Sequence, residues 1–256
     1  MKKITVKVGT STLTHNTGHM NIKRIDLLVR TLSDIKNMGI DVILVSSAAI
    51  SAGVGKLGLP ERPKDIRDKQ AVAAVGQVAL MHLYSAMFNQ YGVTAAQMLL
   101  TKDVFDAGER EGNALSTLQR LLSFGVIPII NENDTISTYE IEFGDNDTLS
   151  AHVAVLSNAD LLIILSDIDG LYDSDPRENP GARLISAVDG VTEEIRELAG
   201  GTGSERGTGG MVTKISAAEI AAKAGISTVI ANGENPRILY DIIDNKPRGT
   251  LFKAKK

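Results

Sequence analysis

The chain has no cysteine in its 256 residues. That absence removes disulfides, thiolate metal sites and cysteine nucleophiles together. Positive charge is not in excess either: 27 Lys+Arg against 31 Asp+Glu gives a formal net charge of −4. A dedicated nucleic-acid binder needs a basic face, because counterion release drives that binding, so no nucleic-acid partner is expected. No run approaches the ~18 apolar residues of a membrane span. The first eight residues, Met1 to Val8, alternate apolar and charged and lack the apolar core of a secretory signal. These absences together predict a cytoplasmic chain with no membrane partner. The four histidines, His15, His19, His82 and His152, show no metal-ligand spacing. There is no Gly-x-x-x-x-Gly-Lys-Ser/Thr, which excludes a P-loop.

What is present is ordinary globular composition, 43% hydrophobic and 23% charged. A chain of this length buries roughly 70–75% of its extended surface, enough for a core without staples. One domain over 1–256 is expected. Ile4–Val8 alternates and is β-branched, so it reads as a strand. Apolar residues at Ile22, Ile25, Leu28, Val29, Leu32 and Ile35 recur at helical spacing, with Gly39 as the stop. Val42–Val45 is a continuously apolar strand, and Ser46-Ser47 can cap a helix beginning at Ala48. Gly53 to Pro63 reads as loop. Helices are expected at 66–91, 113–124, 147–156, 193–198, 211–224 and 236–243, the last with Pro236 at its first position. Strands are expected at 93–100, 126–130, 161–165 and 228–230. Pro128 assigns its strand a non-pairing position or an edge. Residues 169–188 read as a hairpin excursion.

This alternation, with several strands that need cover on both faces, predicts an α/β sandwich around an open, mostly parallel sheet. Ligands of such sheets bind beyond the carboxyl ends of the strands, so the loops after Val8, Val45, Ile130 and Leu165 are where chemistry is sought. Lys7, near the end of the first strand, reads either as solvent-facing alternation or as functional. Ser46-Ser47-Ala48-Ala49 offers small residues at a helix start, which suits an anion or a simple cap. Asn131-Glu132-Asn133-Asp134 and Gly144-Asp145-Asn146-Asp147 are dense in Asn and Asp, and Asn146 or Asp147 can cap the following helix. Gly200 to Gly210 is glycine-rich and runs straight into a helix carrying Lys214, as a phosphate-cradling loop does. Gly53-Val-Gly55-Lys-Leu-Gly58 formally matches a dinucleotide fingerprint, but no strand precedes it and no helix start follows it, so it is a chance match.

Taken in order, Lys-x-Gly-Thr-Ser (Lys7–Ser11), Val-Ser-Ser-x-Ala-Ile-x-x-Gly (Val45–Gly53), Asn131–Asp134, Phe-Gly-Asp-Asn-Asp-x-Leu-Ser-Ala (Phe143–Ala151), Gly-Leu-Tyr-x-x-Asp-Pro (Gly170–Pro176) and Gly-Thr-Gly-Gly-Met-x-Thr-Lys (Gly207–Lys214) resemble the amino acid kinase family. The resemblance runs from Lys3 to about Phe252, and Asn131–Asp134 with Phe143–Asp147 is most specific to the branch acting on glutamate. It implies a three-layer sandwich of that family's fold and a kinase domain without the C-terminal RNA-binding-like domain of many relatives. The implied reaction is ATP-dependent phosphorylation of the side-chain carboxylate of L-glutamate to L-glutamyl 5-phosphate and ADP. That is the first step of proline biosynthesis, and proline is the implied inhibitor. A sister kinase acting on N-acetylglutamate or carbamate is the alternative. ATP is the implied co-substrate, with Mg²⁺ whose ligands stay undefined, in a homo-oligomer. By resemblance, Lys7 and Lys214 neutralise the migrating phosphoryl group and Asp147 holds them. Ser47, Asp134 and Asn146 bind glutamate. Lys7, Ser166, Asp167, Thr208, Gly209, Gly210, Met211, Val212, Thr213 and Lys214 bind the nucleotide. Ala48 departs from the pattern, where a glycine is usual.

Overall fold

The computed structural model describes residues 1–15, 17–106, 108–137, 146–199 and 210–254. Its strands are β1 (Lys3–Val8), β2 (Asp41–Ser46), β3 (Ala95–Leu100), β4 (Ile127–Glu132), β5 (Leu161–Ser166), β6 (Ala187–Val188), β7 (Ser227–Asn232) and β8 (Thr250–Phe252). Its α-helices are α1 (Thr10–Leu13), α2 (Ile22–Asn37), α3 (Ala49–Leu57), α4 (Ile66–Gln90), α5 (Glu109–Ser123), α6 (Asp147–Ser157), α7 (Glu193–Ala199), α8 (Met211–Lys223) and α9 (Ile238–Ile243). One sheet runs in the order β3-β4-β2-β1-β5-β7-β8-β6. Strands β3 through β7 are mutually parallel, and β8 pairs antiparallel to β7.

Strand alternation decides which helix covers which face. In β1, Ile4, Val6 and Val8 pack with Leu28 and Leu32 of α2, Leu80 and Tyr84 of α4, and Leu239 and Ile242 of α9. On the opposite face Leu162, Ile164 and Ile230 meet Ala151 and Ala154 of α6 and Ala217 and Ala218 of α8. Farther along that face, Ile43, Val45 and Ile130 meet Leu118 of α5 and Val153 of α6. Each such aliphatic side chain, fully buried, contributes roughly 1.5–3 kcal/mol. The result is helix, sheet, helix, as the apolar runs of β2, β4 and β5 require.

Several local expectations change. Gly53–Leu57 is helix, not loop, because α3 packs so close to α4 that glycine is required at the crossing. A Cβ on Gly76 would sit 1.7 Å from the Ala49 carbonyl oxygen, and one on Gly53 would sit 2.0 Å from that of Val72. Of the glycines that imitate a dinucleotide fingerprint, Gly53 therefore serves helix packing and Gly58 ends α3 in the left-handed region (φ 65°). No serine caps α3; its N-cap is Ala48 in the left-handed region (φ 80°). Strand β4 is not at an edge but lies between β3 and β2. Pro128 is tolerated because Ile127 N–H turns toward β3, donating to Thr94 O, which directs Pro128 toward β2, where the paired residues begin only at Ile129. Helix α9 begins at Ile238 after the turn that holds Pro236. Thr10–Leu13 is a helical turn instead of loop, and strands β6 and β8 were not expected. The excursion after β5 is hairpin-like, with an antiparallel bridge between Tyr172 and Leu184.

Helix α4 also corrects the expectation about long apolar runs, since by length and composition it is apolar enough to cross a bilayer. In this fold that apolarity is used in packing: Val72, Ala73, Gly76, Leu80, Tyr84, Met87 and Phe88 are buried.

Candidate active site

Register aligns the carboxyl ends of the strands in a row. Ile130 lies across from Val45, Val8 lies between Ser46 and Leu165, and Ser166 pairs with Asn232. Along this edge the residues therefore run Asn131, Ser46–Ser47, Gly9, Ser166–Asp167 and Asn232. Asn131–Asp134 and Asn146 lie toward the β4–β2 end and Ser166–Asp167 toward the β5–β7 end.

At the middle of the row is a buried ionic centre. Because Val6 and Val8 face α2 and α4, Lys7 must point to the other face, beneath the start of α6. Its Nζ lies 2.5 Å from Oδ1 of Asp147, the first residue of α6. Lys214, one turn into α8, places its Nζ 3.1 Å from Oδ2 of the same carboxylate. Thr213 Oγ1 donates to that Oδ2 at 3.0 Å. Asp147 is 0% exposed, Lys7 4% and Lys214 6%. Burying a charge costs several kcal/mol, so each ammonium here depends on the shared carboxylate. The N-terminus of α6 further favours the carboxylate. The three groups carry formal charges of +1, +1 and −1. Lys7 is thus not solvent-facing alternation, and two residues 207 positions apart in the chain (214 − 7) share one carboxylate.

Beside it is an amide cluster. Asn146 occupies the N-cap position of α6 yet makes no capping bond. Its Nδ2 is instead directed at Ser46 O (2.9 Å), Ser47 Oγ (3.0 Å) and Asn131 Oδ1 (2.8 Å). Its Oδ1 is buried and accepts no hydrogen bond among the described residues. Asn131 Oδ1 also accepts from Glu132 N at 3.0 Å, and Asn131 Nδ2 donates to Gln77 Oε1 at 3.0 Å. Ser46 Oγ lies 2.9 Å from Tyr84 Oη. Burial drives the Tyr84 pKa up, against the lowering effect of Ser46, so the phenol stays protonated. Asp134, in the turn after β4, is 6% exposed. Glu132 has its pKa raised chiefly by burial, with the hydrogen bond from Ser137 opposing.

The nucleotide candidates are distributed differently. Ser166 is buried and donates to Oδ1 of exposed Asp167 at 3.1 Å. Gly210 is an extended N-cap of α8 with no side-chain cap, so the first N–H groups of Met211, Val212 and Thr213 have no side-chain acceptor there. Thr208 and Gly209, with Gly200–Gly207 and Phe143–Asp145, lie outside the described residues. Asn131, Gln77 and Tyr84 were not assigned from the sequence. Asn131 stood within a flagged Asn/Asp cluster, whereas Gln77 and Tyr84 carried no signal inside an apolar helix. The described residues contain no group of three or more His, Asp or Glu side chains able to hold a metal ion.

A parallel α/β sheet with two lysines converging on one carboxylate at its strand ends fits a phosphotransferase of anionic substrates. The amino acid kinase family model matches residues 2–232, and the chain belongs to that family; it is a kinase with ATP as co-substrate. The chain is 57% identical over 259 residues to a glutamate 5-kinase of Clostridium perfringens, covering 100% of this chain and 96% of that one. It is 54% identical over 255 residues to a glutamate 5-kinase of Clostridium acetobutylicum, with the same coverage of 100% and 96%. Among solved structures, UMP kinase from Bacillus anthracis matches with a TM-score of 0.66 at 15% identity, covering 100% of this chain and 97% of that chain, which establishes the fold alone.

Proposed function

We propose that this kinase transfers the γ-phosphoryl group of ATP to the side-chain carboxylate of L-glutamate, giving L-glutamyl 5-phosphate and ADP, the first step of proline biosynthesis. The observation that carries the reading is the convergence of Lys7 and Lys214 on Asp147 at the centre of the strand-end row. Both reactants are anions, and the transition state spreads negative charge over three equatorial oxygens, so the protein must supply position and positive charge. The glutamate side chain, with a pKa near ~4.3, is already ionised at neutral pH and needs no general base. Lys7 and Lys214 neutralise the migrating group, and Asp147 keeps the two ammoniums at a fixed separation.

Glutamate is placed on the β4–β2 side. Its α-ammonium needs acceptors, and Asn146 Oδ1, Ser47 Oγ and the Asp134 carboxylate are of that kind. ATP is placed on the β5–β7 side, with Ser166 and Asp167 at one end and the N–H groups from Gly210 to Lys214 toward its phosphates. Mg²⁺ supplies further charge neutralisation when bound; with no three-ligand cluster among the described residues, it is proposed to be carried chiefly by the phosphates. Proline shares an α-carboxylate and a cationic amine with glutamate, so the same acceptors suit it as an inhibitor.

The test is ADP release measured side by side with L-glutamate, N-acetylglutamate and carbamate. Glutamate is expected to give the highest kcat/KM. Preference for N-acetylglutamate or carbamate overturns the reading.

A further inference from the structure

The three amides beside the ionic centre form a chain with a direction. Asn146 Nδ2 points to Asn131 Oδ1, and Asn131 Nδ2 points to Gln77 Oε1, at 2.8 and 3.0 Å. A carboxamide is polar end to end, with two donors on nitrogen and acceptors on oxygen. Reversing Asn146 would face its oxygen toward the Ser46 carbonyl and the Asn131 oxygen, acceptor against acceptor. Reversing Asn131 would face its nitrogen toward the Glu132 N–H and the Asn146 amide, donor against donor. Ser46 O and the Glu132 N–H hold the two asparagine amides from the backbone, and Gln77 Oε1 reinforces the same polarity from the far end of the relay.

We propose that Gln77 is a positioning residue for glutamate. Through Asn131 it fixes the carboxamide of Asn146 so that Oδ1 faces the substrate's α-ammonium. The inference rests on the glutamate reading above and deepens it, since it names what sets the selectivity for a free amine. Asn146 Oδ1 is the one terminus of the relay with no hydrogen bond among the described residues, and it is buried. An ammonium satisfies that acceptor fully. An acylated amine offers one N–H and brings a carbonyl oxygen beside it. A site whose buried polar groups are matched to one ligand rejects a ligand that leaves them unpaired.

Helix α4 gives the relay its rigid end. Gln77 and Tyr84 are seven residues apart, two turns of one face; Gln77 reaches Asn131 near the end of β4 and Tyr84 reaches Ser46 at the end of β2. The close α3–α4 packing at Gly53 and Gly76 fixes α4 against the helix that follows Ser47. The acceptor oxygen of Gln77 is thus held by an element that is not part of the substrate loops.

The experiment compares wild type with Gln77→Met, Gln77→Asn and Gln77→Glu, each checked by thermal melting. Methionine keeps the side-chain length but loses the acceptor; asparagine keeps an acceptor that is too short to reach Asn131. Both should raise the KM for glutamate about fivefold, the effect of one lost hydrogen bond, with kcat and the KM for ATP held. Gln77→Glu keeps an oxygen toward Asn131 Nδ2 and should return the glutamate KM toward the wild-type value. The preference for glutamate over N-acetylglutamate should shrink in Gln77→Met and Gln77→Asn and not in Gln77→Glu. Unchanged glutamate KM in both acceptor-deficient variants, or damage in Gln77→Glu equal to that in Gln77→Met, overturns the relay while leaving the glutamate reading intact. Failure of the wild type to phosphorylate glutamate removes that reading and the inference with it.

Discussion

Two positions show how magnitudes separate tolerance from requirement. Asp147 is met by Lys7, Lys214 and Thr213, and the two lysines share its carboxylate. Lys214→Ala leaves Asp147 with Lys7 and Thr213, so the fold should survive while kcat falls on the order of 10²–10³, the usual effect of removing one preorganised charge-stabilising group. A kcat within threefold of wild type would remove Lys214 from the chemistry. Asp147→Asn is a different case, because it leaves two buried ammoniums facing a neutral amide. Its unfolding free energy should fall by about 3–5 kcal/mol as well, measurable by denaturant titration. Ala48 is the opposite kind of residue. Its left-handed backbone (φ 80°) costs an alanine roughly 1–2 kcal/mol. Glycine relieves that strain but loses a buried methyl worth roughly 0.8 kcal/mol and roughly 0.5–1 kcal/mol of backbone entropy. The terms nearly cancel, which accounts for an alanine at this left-handed position. Ala48→Gly should therefore shift the denaturant midpoint little, and a loss of more than about 2 kcal/mol would contradict the strain argument.

Elements were legible in proportion to how locally they are determined. β1 and α2 carry their own periodicity, β2 and β5 are continuous apolar runs of strand length and α4 is long and Ala-rich; all sit where expected, because such segments need no distant partner to be recognised. The second half of α3, from Gly53, was missed because its glycines look like loop until α4 is placed against them; the close approach is a fact about two segments. Pro128 left a non-pairing position or an edge open, and only the structure shows it is the first, since its missing donor faces β2 before the paired residues begin. The residues alone left Lys7 open and it was the resemblance that joined Lys7, Lys214 and Asp147, whereas Gln77 was not legible at all. A single glutamine in an apolar helix gains meaning only from the Asn131 amide opposite it. The α3–α4 crossing yields its own prediction. Gly76→Ala inserts a methyl 1.7 Å from the Ala49 carbonyl oxygen, so the helices must separate. Overpacking of this kind costs typically 1–3 kcal/mol. Because α3 follows Ser47 directly, the glutamate KM should rise in the same variant. A destabilised variant with an unaltered glutamate KM would show that the substrate loop is held independently of α3.

At the scale of the whole molecule, the strand order dictates a division of labour. β4 and β2 lie on one side of β1, and β5 and β7 lie on the other. Side chains at the strand ends inherit that order, so on the proposed placement the acceptor and the donor of the phosphoryl group approach from opposite directions with β1 between them. The two anionic groups would then meet only at the position where Lys7 and Lys214 stand. Kinetic effects should sort along the same axis. Asp134→Ala, on the β4 side, should raise the KM for glutamate with little effect on kcat or on the KM for ATP, because an ammonium contact is made equally in ground and transition states. Asp167→Ala, on the β5 side, should raise the KM for ATP and leave that for glutamate unchanged. Steady-state kinetics with each substrate varied at saturating levels of the other separates the two. If Asp134→Ala raised the ATP KM and Asp167→Ala the glutamate KM, the substrates would be assigned to the wrong ends of the row, while the lysine centre between them would stand.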